Sequence, residues 1–344
     1  MYSKFLSMFS KDMAIDLGTT QTCVYVRNEG VVIRESSVVA VRRDSRGGGK
    51  IVAVGDEAKR MLGRTPGNIV ATRPLKDGAI ADFDTTQAML HHFISRIHNR
   101  SYGLRPHVVV SIPPNITDIE KRAVQEAVYR TKARKVFLIE EPMAAAIGAG
   151  LPVVEPKGSM VLDVGGGTTK IAIISLAGIV FSKSIRVGGN KFDETILNYI
   201  KRHSNLLIGL DSAEQIKKEI GSAYPGEHDH LEQEVKGRDS VLGRPASIRV
   251  GAKEIRNALW DDMRNIVYLV RTALEQTPPD LAADIIDDGI VLSGGGALLK
   301  GLDQLISQEI SLPVHVAEDP MYTVVTGAGK LLDDLDLLQQ ASVE

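Results

Sequence analysis

Cysteine and tryptophan are almost missing from this 344-residue sequence, which contains one of each. The single cysteine, Cys23, excludes an intrachain disulfide framework and is typical of a protein from a reducing cytoplasm. No apolar run reaches the roughly 18–20 residues of a membrane-spanning helix, and serine and lysine interrupt the apolar residues near the start, unlike a signal peptide. A formal net charge of −2 gives no support to nucleic-acid binding. We therefore expect a cytoplasmic protein without a nucleic-acid partner.

A strand, a glycine turn and a second strand near the middle of the chain carry the strongest chemical signal. Residues 160–174 have the sequence MVLDVGGGTTKIAII, in which an apolar run leads to Asp163. Three glycines let backbone N–H groups turn towards one point, which suits a phosphate, and a carboxylate at the strand end suits a hydrated divalent cation. From these residues alone, a glycine-rich hairpin with a solvated aspartate remains the alternative. The candidate phosphate contacts are Gly165, Gly166, Gly167, Thr168 and Thr169.

The same pattern occurs a second time, close to the beginning of the chain. Residues 13–26, MAIDLGTTQTCVYV, again place an aspartate, Asp16, after an apolar strand and before a glycine and two threonines. An internal repeat is a direct indicator of architecture. Two similar domains that face one nucleotide are therefore expected, with Gly18, Thr19 and Thr20 as the first phosphate contacts.

Several further segments have clear local signals. Thr117 and Glu120 predict a capping box at the start of a helix, and the pair Glu140–Glu141 before Pro142 predicts another helix start with acids at its positive end. We also predict a helix that begins at a capping Ser212. The other predicted elements are helices over 83–98, 252–276 and 323–332, strands over 107–112, 135–139 and 314–316, and a strand, glycine turn and helix unit that contains Ser293, Gly294, Gly295 and Gly296.

The first eleven residues predict a short amphipathic helix. Tyr2, Phe5, Leu6 and Phe9 fall on one face at helical spacing, and lysines fall on the opposite face. A helix of this kind is able to lie in a membrane interface, and polymerisation would add such weak anchors by avidity. A frayed terminus, or a helix docked on the body of the protein, is the alternative.

Taken together, the motifs resemble the actin and heat-shock-chaperone ATPase superfamily and, within it, the MreB family of bacterial actins. The two aspartate hairpins, the Ile-Glu-Glu-Pro helix start and the late Ser-Gly-Gly-Gly turn carry the superfamily resemblance. The resemblance to the MreB family runs from about residue 8 to residue 332, without the large insertions of the chaperones. Four longer stretches carry it: MLGRTPGN at 61–68, IEEPMAAAIGAGLP at 139–152, EQIKKEIGSA at 214–223 and LSGGGALL at 292–299.

The resemblance implies an α/β, actin-like ATPase fold. In that fold, two duplicated ribonuclease-H-like domains enclose a nucleotide cleft, and each domain carries a smaller subdomain. The implied boundaries are an amphipathic segment at 1–11, subdomain IA at 12–32, 77–148 and 319–344, subdomain IB at 33–76, subdomain IIA at 149–186 and 247–318, and subdomain IIB at 187–246.

The resemblance also implies roles for individual residues. Asp16 and Asp163 match the pair that holds Mg²⁺ through water, and Glu141 matches the carboxylate that orients the attacking water, together with Thr168. A carboxylate at a helix start is chemically suited to that task, although a simple helix-dipole role is the alternative. Glu214 and Lys217 match the face that meets the ribose and adenine, and an i,i+3 salt bridge on a solvated helix is their alternative. Gly294, Gly295 and Gly296 match the turn that lies against the adenosine.

Four residues close to these motifs depart from the family pattern. Thr20 and Gln21 replace a usual alanine and asparagine, and Asn190 replaces a usual aspartate. Lys170 replaces a usual glutamate directly after the threonine pair, which reverses the charge. Lys170 is expected either to aid phosphate binding or to point into solvent. Because Asp16, Asp163 and Glu141 are all present, hydrolysis is still expected.

The resemblance implies an ATP-binding, slowly hydrolysing cytoskeletal protein that forms membrane-associated filaments. The expected partners are further copies of the chain in paired protofilaments, the inner face of the cytoplasmic membrane, and cell-shape and wall-synthesis membrane proteins. The expected cofactors are Mg²⁺ and ATP, with GTP as an open alternative. Other functions weighed are an intracellular scaffold filament formed by a divergent member of the family and a small-molecule kinase of the superfamily, for which no sugar-pocket motif occurs.

Overall fold

The structure is a computed structural model that describes residues 11–43, 49–76, 78–98, 105–114 and 116–343. The predicted amphipathic segment, with Tyr2, Phe5, Leu6 and Phe9, lies outside the described residues. The chain forms two compact units. The first contains the described residues of Met1–Ser159, Ile174–Val180 and Met321–Glu344, and the second contains Met160–Ile173 and Phe181–Pro320.

Strands and helices alternate along much of the described chain. The strands are β1 (Met13–Leu17), β2 (Gln21–Val26), β3 (Gly30–Ser36), β4 (Val39–Arg43), β5 (Gly49–Val54), β6 (Ile69–Thr72), β7 (Leu75–Lys76), β8 (Ala79–Ile80), β9 (His107–Ile112), β10 (Lys135–Glu140), β11 (Ser159–Val164), β12 (Thr169–Ser175), β13 (Gly178–Ile185), β14 (Leu206–Leu207), β15 (Glu232–Asp239), β16 (Pro245–Gly251), β17 (Ile290–Ser293), β18 (Val314–Val316) and β19 (Ser342–Val343). The α-helices are α1 (Asp56–Lys59), α2 (Phe83–His98), α3 (Asp118–Tyr129), α4 (Glu141–Gly148), α5 (Gly189–Ser204), α6 (Leu210–Ile220), α7 (Ala252–Glu275), α8 (Pro279–Asp288), α9 (Leu302–Ile310), α10 (Thr323–Lys330) and α11 (Leu335–Ala341). Short 3₁₀ helices cover Glu227–His230 and Gly295–Leu298.

Two large sheets repeat the same order of strands. In one sheet the order is β3-β2-β1-β9-β10, with β19 added beside β10, and in the other it is β13-β12-β11-β17-β18. Strand β1 is parallel to β9, and β9 is parallel to β10, whereas β2 is antiparallel to both of its neighbours. In the second sheet, β11 is parallel to β17 and β17 to β18. Asp16 in β1 and Asp163 in β11 occupy equivalent strands, which confirms the internal duplication predicted from the two hairpins.

Among the described residues, two three-stranded sheets and the two-stranded sheet β7-β8 accompany the large ones. The sheet β5-β4-β6 falls within 33–76 and has its own small apolar cluster, which includes Val38, Ala40 and Ala58. The sheet β14-β15-β16 spans 206–251. Strand β16 runs beyond residue 246, the predicted end of subdomain IIB. The four subdomain boundaries stay a prediction.

Each unit is built on its own apolar core. In the first unit the central strands contribute fully buried residues such as Ile15 and Val110, against which Phe93 of α2 packs. In the second unit the long helix α7 buries one stripe, which includes Ile255, Leu259 and Ile266. That spacing of three to four residues is the period of an amphipathic helix. The cores therefore fix the strands whose ends carry Asp16 and Asp163.

Two glycines allow α4 and α10 to cross at very short range. A Cβ atom on Gly327 would collide with the carbonyl oxygen of Ala144 and would lie 2.6 Å from the amide nitrogen of Gly148. A Cβ atom on Gly148 would likewise collide with the backbone of Thr323. Only glycine permits backbones to approach this closely. The crossing fixes α4, the helix that begins with Glu141.

The local predictions agree with the structure at most elements and fail at two. The capping box of α3 is present, because Thr117 Oγ1 accepts from Glu120 N at 3.3 Å and Glu120 Oε2 accepts from Thr117 N at 3.0 Å. The predicted Ser212 cap is wrong, since α6 begins at Leu210 and its N-cap is Gly209, with no side-chain cap. Helix α8 is absent from the predicted elements; Pro279 begins it, where the missing N–H of proline costs no helical hydrogen bond.

Candidate functional site

The turn after β1 is held in place by side chains from its own unit. Asp16 is partly buried at the end of β1, and the turn continues through Gly18, Thr19 and Thr20. Ser37 Oγ donates to the carbonyl oxygen of Gly18 at 2.5 Å, and Gly78 N donates to Thr19 Oγ1 at 3.0 Å. The predicted first phosphate contacts are therefore adjacent and fixed in one turn.

The neighbour of Asp16 across the hairpin is Cys23, which lies opposite it in the β1–β2 register. Burial raises the pKa of the Cys23 thiol, and the Asp16 carboxylate raises it further. A thiol that stays protonated is a poor nucleophile and a poor metal ligand. Cys23 therefore acts as a small core residue beside the site.

The turn after β11 is tighter and more buried. Gly165 N donates to the carbonyl oxygen of Thr168 at 2.9 Å, which closes the glycine loop on itself. Thr168 and Thr169 are buried, and Thr169 Oγ1 donates to the carbonyl oxygen of Val187 at 2.8 Å. Thr169, expected as a hydroxyl donor to phosphate, thus holds the neighbouring backbone instead.

A serine on the adjacent parallel strand holds each of the two aspartates. Ser111 Oγ on β9 donates to Asp16 Oδ1 at 2.7 Å, and Ser293 Oγ on β17 donates to Asp163 Oδ1 at 3.0 Å. Each serine lies directly opposite its aspartate in the strand register. Hydrogen bonds to an ionised carboxylate are among the stronger ones in proteins. The duplication therefore includes a serine that fixes the rotation of each carboxylate.

Lys170 does not point into solvent, so that alternative is wrong. Its Nζ atom lies 3.7 Å from Asp163 Oδ2, and the two side chains are only 7% and 5% exposed, respectively. The side chain lies on β12, which is adjacent to β11 in the sheet, so it runs alongside the aspartate. The lysine is thus part of the Asp163 site.

A glycine pair, Gly188–Gly189, packs against the turn formed by Gly165, Gly166 and Gly167. Gly189 N donates to the carbonyl oxygen of Gly165 at 3.0 Å, and Asn190 N donates to that of Gly166 at 2.8 Å. Because Asn190 makes this bond through its backbone, the bond itself does not depend on the replacement of aspartate by asparagine. The start of α5 and the Asp163 turn therefore form one rigid assembly.

Lys217 reaches this assembly from α6. Its Nζ atom donates to the carbonyl oxygen of Gly189 at 2.9 Å and lies 2.8 Å from Asp193 Oδ1. Glu214 instead pairs with Lys218, at 2.7 Å. The i,i+3 salt bridge between Glu214 and Lys217 is therefore not the arrangement seen. The structure places a largely buried cation beside the glycine turns.

The late glycine turn, Gly294–Gly296, packs against the end of β11 at Asp163 and Val164. Gly294 has φ of +83°, and a Cβ atom there would lie 2.7 Å from Asp163 Oδ1 and would collide with the carbonyl group of Val164. Gly295 and Gly296 belong to the following 3₁₀ helix, and Gly296 also lies against Val164. Backbone conformation and close approach both require glycine at Gly294. The predicted adenosine contacts and Asp163 are thus neighbours.

Glu141 is 4% exposed and is the first residue of α4. Glu140 precedes it as the N-cap residue and makes no side-chain cap. Burial raises the pKa of Glu140, and the opposing charge of Lys121 lowers it by a smaller amount. Glu141 is therefore the more deeply buried of the two neighbouring carboxylates.

The donor set suits a hydrated hard cation better than a metal held by protein ligands alone. Within residues 11–43, 49–76, 78–98, 105–114 and 116–343, no group of three or more His, Cys, Asp or Glu side chains is arranged to hold a metal ion. Asp16 and Asp163 offer carboxylate oxygens, and Mg²⁺ binds through one or two carboxylates with waters and phosphates completing its shell. Each of these two carboxylates, taken in its own unit, is therefore compatible with Mg²⁺ held through water.

Sequence reasoning missed the residues that support the site. Ser111, Ser293 and Asp193 each act on a predicted site residue from another strand or helix. One signal was available, because Ser111 and Ser293 are polar residues within the last two positions of otherwise apolar strands. Their partners, however, depend on strand register, which the sequence alone does not give.

Comparisons with known proteins agree over nearly the whole chain. A family model described as MreB/Mbl protein matches residues 10–340. The cell shape-determining protein MreB of Escherichia coli is 54% identical over 339 residues, which cover 98% of this chain and 97% of that protein.

Solved structures give the same result for the fold. MreB5 of Spiroplasma citri bound to ADP superposes with a TM-score of 0.89 at 36% identity, over 94% of this chain and 96% of that one. Its AMPPNP-bound form has a TM-score of 0.88 at 37% identity, with the same coverage. A MamK double helical filament matches with a TM-score of 0.79 at 22% identity over 94% of this chain and 99% of that one, which bears on the fold alone. The expected actin-like fold is confirmed.

Proposed function

Because this chain belongs to the MreB/Mbl family of actin-like cytoskeletal proteins, we propose that it assembles, when bound to ATP, into filaments that organise cell-wall synthesis and rod shape. The observation that carries the proposal is the duplicated turn, in which Asp16 and Asp163 end equivalent strands and are each fixed by a serine. Adenine nucleotides in the Spiroplasma citri relatives support ATP as the ligand. GTP is the alternative that competition binding would test.

The two glycine turns bind the phosphates in this proposal. Gly18, Thr19 and Thr20 contribute from the first turn, and Gly165, Gly166, Gly167 and Thr168 contribute from the second. A backbone that is already fixed loses little entropy when the ligand arrives. The hydrogen bonds of Ser37, Gly78 and Gly189 to these turns supply that rigidity.

Asp16 and Asp163 would hold Mg²⁺ through water. When bound, the cation neutralises part of the charge of the β- and γ-phosphates. Ser111 and Ser293 keep one oxygen of each carboxylate in a fixed position. The contribution of the protein is thus to orient two carboxylates before the nucleotide binds.

Glu141 orients the attacking water in slow hydrolysis. It is buried at the start of α4, and α4 is held by its glycine crossing with α10. A fixed carboxylate in a dry environment is able to accept a proton from water and to align it for in-line attack. Thr168 lies in the second phosphate turn and assists from there.

The adenosine contacts are assigned to α6 and the late glycine turn. Gly294, Gly295 and Gly296 allow close backbone approach, and Glu214 contributes from α6. Lys217 is already held by Asp193 and by the backbone of Gly189. Its role is therefore to fix the Gly188–Gly189 pair and to add positive charge near the phosphates, in addition to any ribose contact.

The membrane and partner assignments rest on the sequence. The amphipathic segment with Tyr2, Phe5, Leu6 and Phe9 is proposed to place filaments, as paired protofilaments, on the inner face of the cytoplasmic membrane, beside cell-shape and wall-synthesis membrane proteins. None of the helices in the described ranges is long and apolar enough to cross a membrane.

Electron microscopy of purified protein on anionic liposomes tests the proposal. Filaments are expected on the vesicles with ATP and Mg²⁺ and not with ADP. Phe5→Ser with Leu6→Ser should leave filaments that no longer bind the vesicles, whereas the matched control Ser3→Ala with Ser7→Ala should behave as the parent. Absence of filaments in every nucleotide state would contradict the proposal.

A further inference from the structure

The Asp163 site contains a cation of its own, the ammonium group of Lys170. Nζ of Lys170 lies 3.7 Å from Asp163 Oδ2, and neither side chain is more than 7% exposed. Ser293 Oγ holds the other carboxylate oxygen, Oδ1, at 3.0 Å. Asp163 is therefore flanked on one oxygen by a hydroxyl donor and on the other by a full positive charge.

A buried ammonium group is retained only at a cost. Removing a lysine charge from water is strongly unfavourable unless a nearby opposite charge compensates it. The closeness of Asp163 supplies that compensation, and the packed sheet leaves the lysine stem little freedom to move. Lys170 therefore behaves as a fixed charge, unlike an exposed lysine that moves through solvent.

A fixed cation at this position has two effects, one on the binding of a hydrated divalent ion and one on the binding of an anionic ligand. It compensates part of the negative charge of Asp163, which weakens the attraction of that carboxylate for Mg²⁺. It also adds positive charge next to the glycine turn assigned to phosphate, which favours an anionic ligand even without a metal. Both effects follow from Coulomb interaction over a few ångströms in a poorly solvated site.

We propose that Lys170 is a positioning residue that makes nucleotide binding by this chain only weakly dependent on Mg²⁺. The proposal rests on the proposed nucleotide site, because Asp163 and the second glycine turn are assigned to phosphate and metal there. It concerns binding and does not depend on hydrolysis.

The test measures the affinity of the full chain for ADP by isothermal titration calorimetry, once with Mg²⁺ and once with EDTA. The quantity of interest is the ratio of the two dissociation constants. Using ADP removes turnover from the measurement. The variants are Lys170→Met, which keeps length and removes charge, and Lys170→Arg, which keeps the charge. Lys183→Met, on an exposed position of β13, is the matched control.

The parent should lose less than about tenfold in affinity when Mg²⁺ is removed, because Lys170 supplies part of the charge. In Lys170→Met that loss should grow by roughly tenfold or more, the effect of removing one unit charge a few ångströms away at an effective dielectric constant of about 20. Lys170→Arg and Lys183→Met should keep a ratio close to that of the parent.

An unchanged ratio in a folded Lys170→Met protein would overturn the inference while leaving the nucleotide site intact. A fall of more than about a hundredfold in the ADP affinity of the parent in EDTA would also overturn the inference, and this measurement needs no variant. Failure of the parent to bind ADP in either buffer would overturn the proposed function itself, and this inference with it. Thermal melting of each variant identifies any loss of fold.

Discussion

Ser111 Oγ donates a hydrogen bond of 2.7 Å to Asp16 Oδ1 between directly opposed positions of β9 and β1. Ser111→Ala removes this bond and lets the carboxylate rotate. We expect ADP binding in the presence of Mg²⁺ to weaken by about threefold to tenfold, since a hydrogen bond to a charged group is worth about 1.5–3 kcal/mol and only part of that is lost on binding. Calorimetric titration measures the change.

Ser307→Ala is the control for this prediction. Ser307 Oγ also donates a hydrogen bond, but to the carbonyl oxygen of Leu312 and away from the candidate site. Its removal should leave ADP affinity unchanged. Equal losses in Ser111→Ala and Ser307→Ala would show that the serine acts on general stability and not on Asp16.

Glu141→Gln tests the assignment of the buried carboxylate at the start of α4. The amide keeps the shape of the side chain but accepts a water proton poorly, so phosphate release should fall by about a hundredfold or more. Filaments formed with ATP should persist longer than those of the parent. The measurement pairs a phosphate-release assay with sedimentation over time. Undiminished phosphate release would remove Glu141 from the hydrolytic role.

Gly327→Ala should disturb the crossing of α4 and α10. The added Cβ would collide with the carbonyl oxygen of Ala144. We expect the free energy of unfolding to fall by about 2–3 kcal/mol, because overpacking costs about 1–3 kcal/mol and backbone atoms cannot move aside as side chains do. Urea unfolding followed by circular dichroism measures the loss.

Gly67→Ala is the matched control for the helix crossing, since a Cβ atom at that loop position has no neighbour within 4 Å. Its stability should equal that of the parent or rise slightly, because alanine restricts the unfolded chain. A Gly327→Ala protein as stable as Gly67→Ala would contradict the packing account of α4.

Glu140 gives a prediction about pH. Burial raises its pKa in the folded protein above the ordinary value of 4.5, so between 4.5 and the raised pKa the folded state binds more protons than the unfolded state. Stability from this group is complete below 4.5 and is lost as the pH rises through the raised pKa. Glu140→Gln should therefore become more stable relative to the parent as the pH increases.

Urea unfolding of Glu140→Gln and the parent, from pH 4.5 upwards to neutral pH, measures this difference. Glu57→Gln, at an exposed position of α1, is the control and should show no comparable trend. A difference between Glu140→Gln and the parent that stays constant with pH, or that reverses its sign, would contradict the burial of the Glu140 carboxyl group.

The sequence was sufficient for the features that depend on neighbouring residues. The hairpins at Asp16 and Asp163, the capping box of α3 and the helix start at Glu141 all have local causes, namely turn glycines, a side chain three residues away and acids beside a helix dipole. Their duplication also predicted two similar domains. The resemblance to a known family supplied the actin-like fold, which local signals alone do not specify.

The sequence was insufficient where a partner comes from elsewhere in the fold. Lys170 had two open interpretations, because whether a strand residue faces solvent or a neighbouring strand depends on the packing of the sheet. Lys217 was assigned by helical spacing to Glu214 or to a ligand, but its partner Asp193 lies on α5. The predicted Ser212 cap failed because the helix begins earlier, after Gly209.

The central claim is that ATP bound at the duplicated turns drives filament assembly by this chain. Sedimentation of purified protein with ATP and Mg²⁺, with ADP and Mg²⁺, or without nucleotide tests it most directly, alongside Asp16→Ala. Pelleted filaments are expected with ATP, far fewer in the other two conditions, and none for Asp16→Ala while that variant remains folded. Equal sedimentation in all three conditions, or normal ATP-dependent assembly by Asp16→Ala, would contradict it.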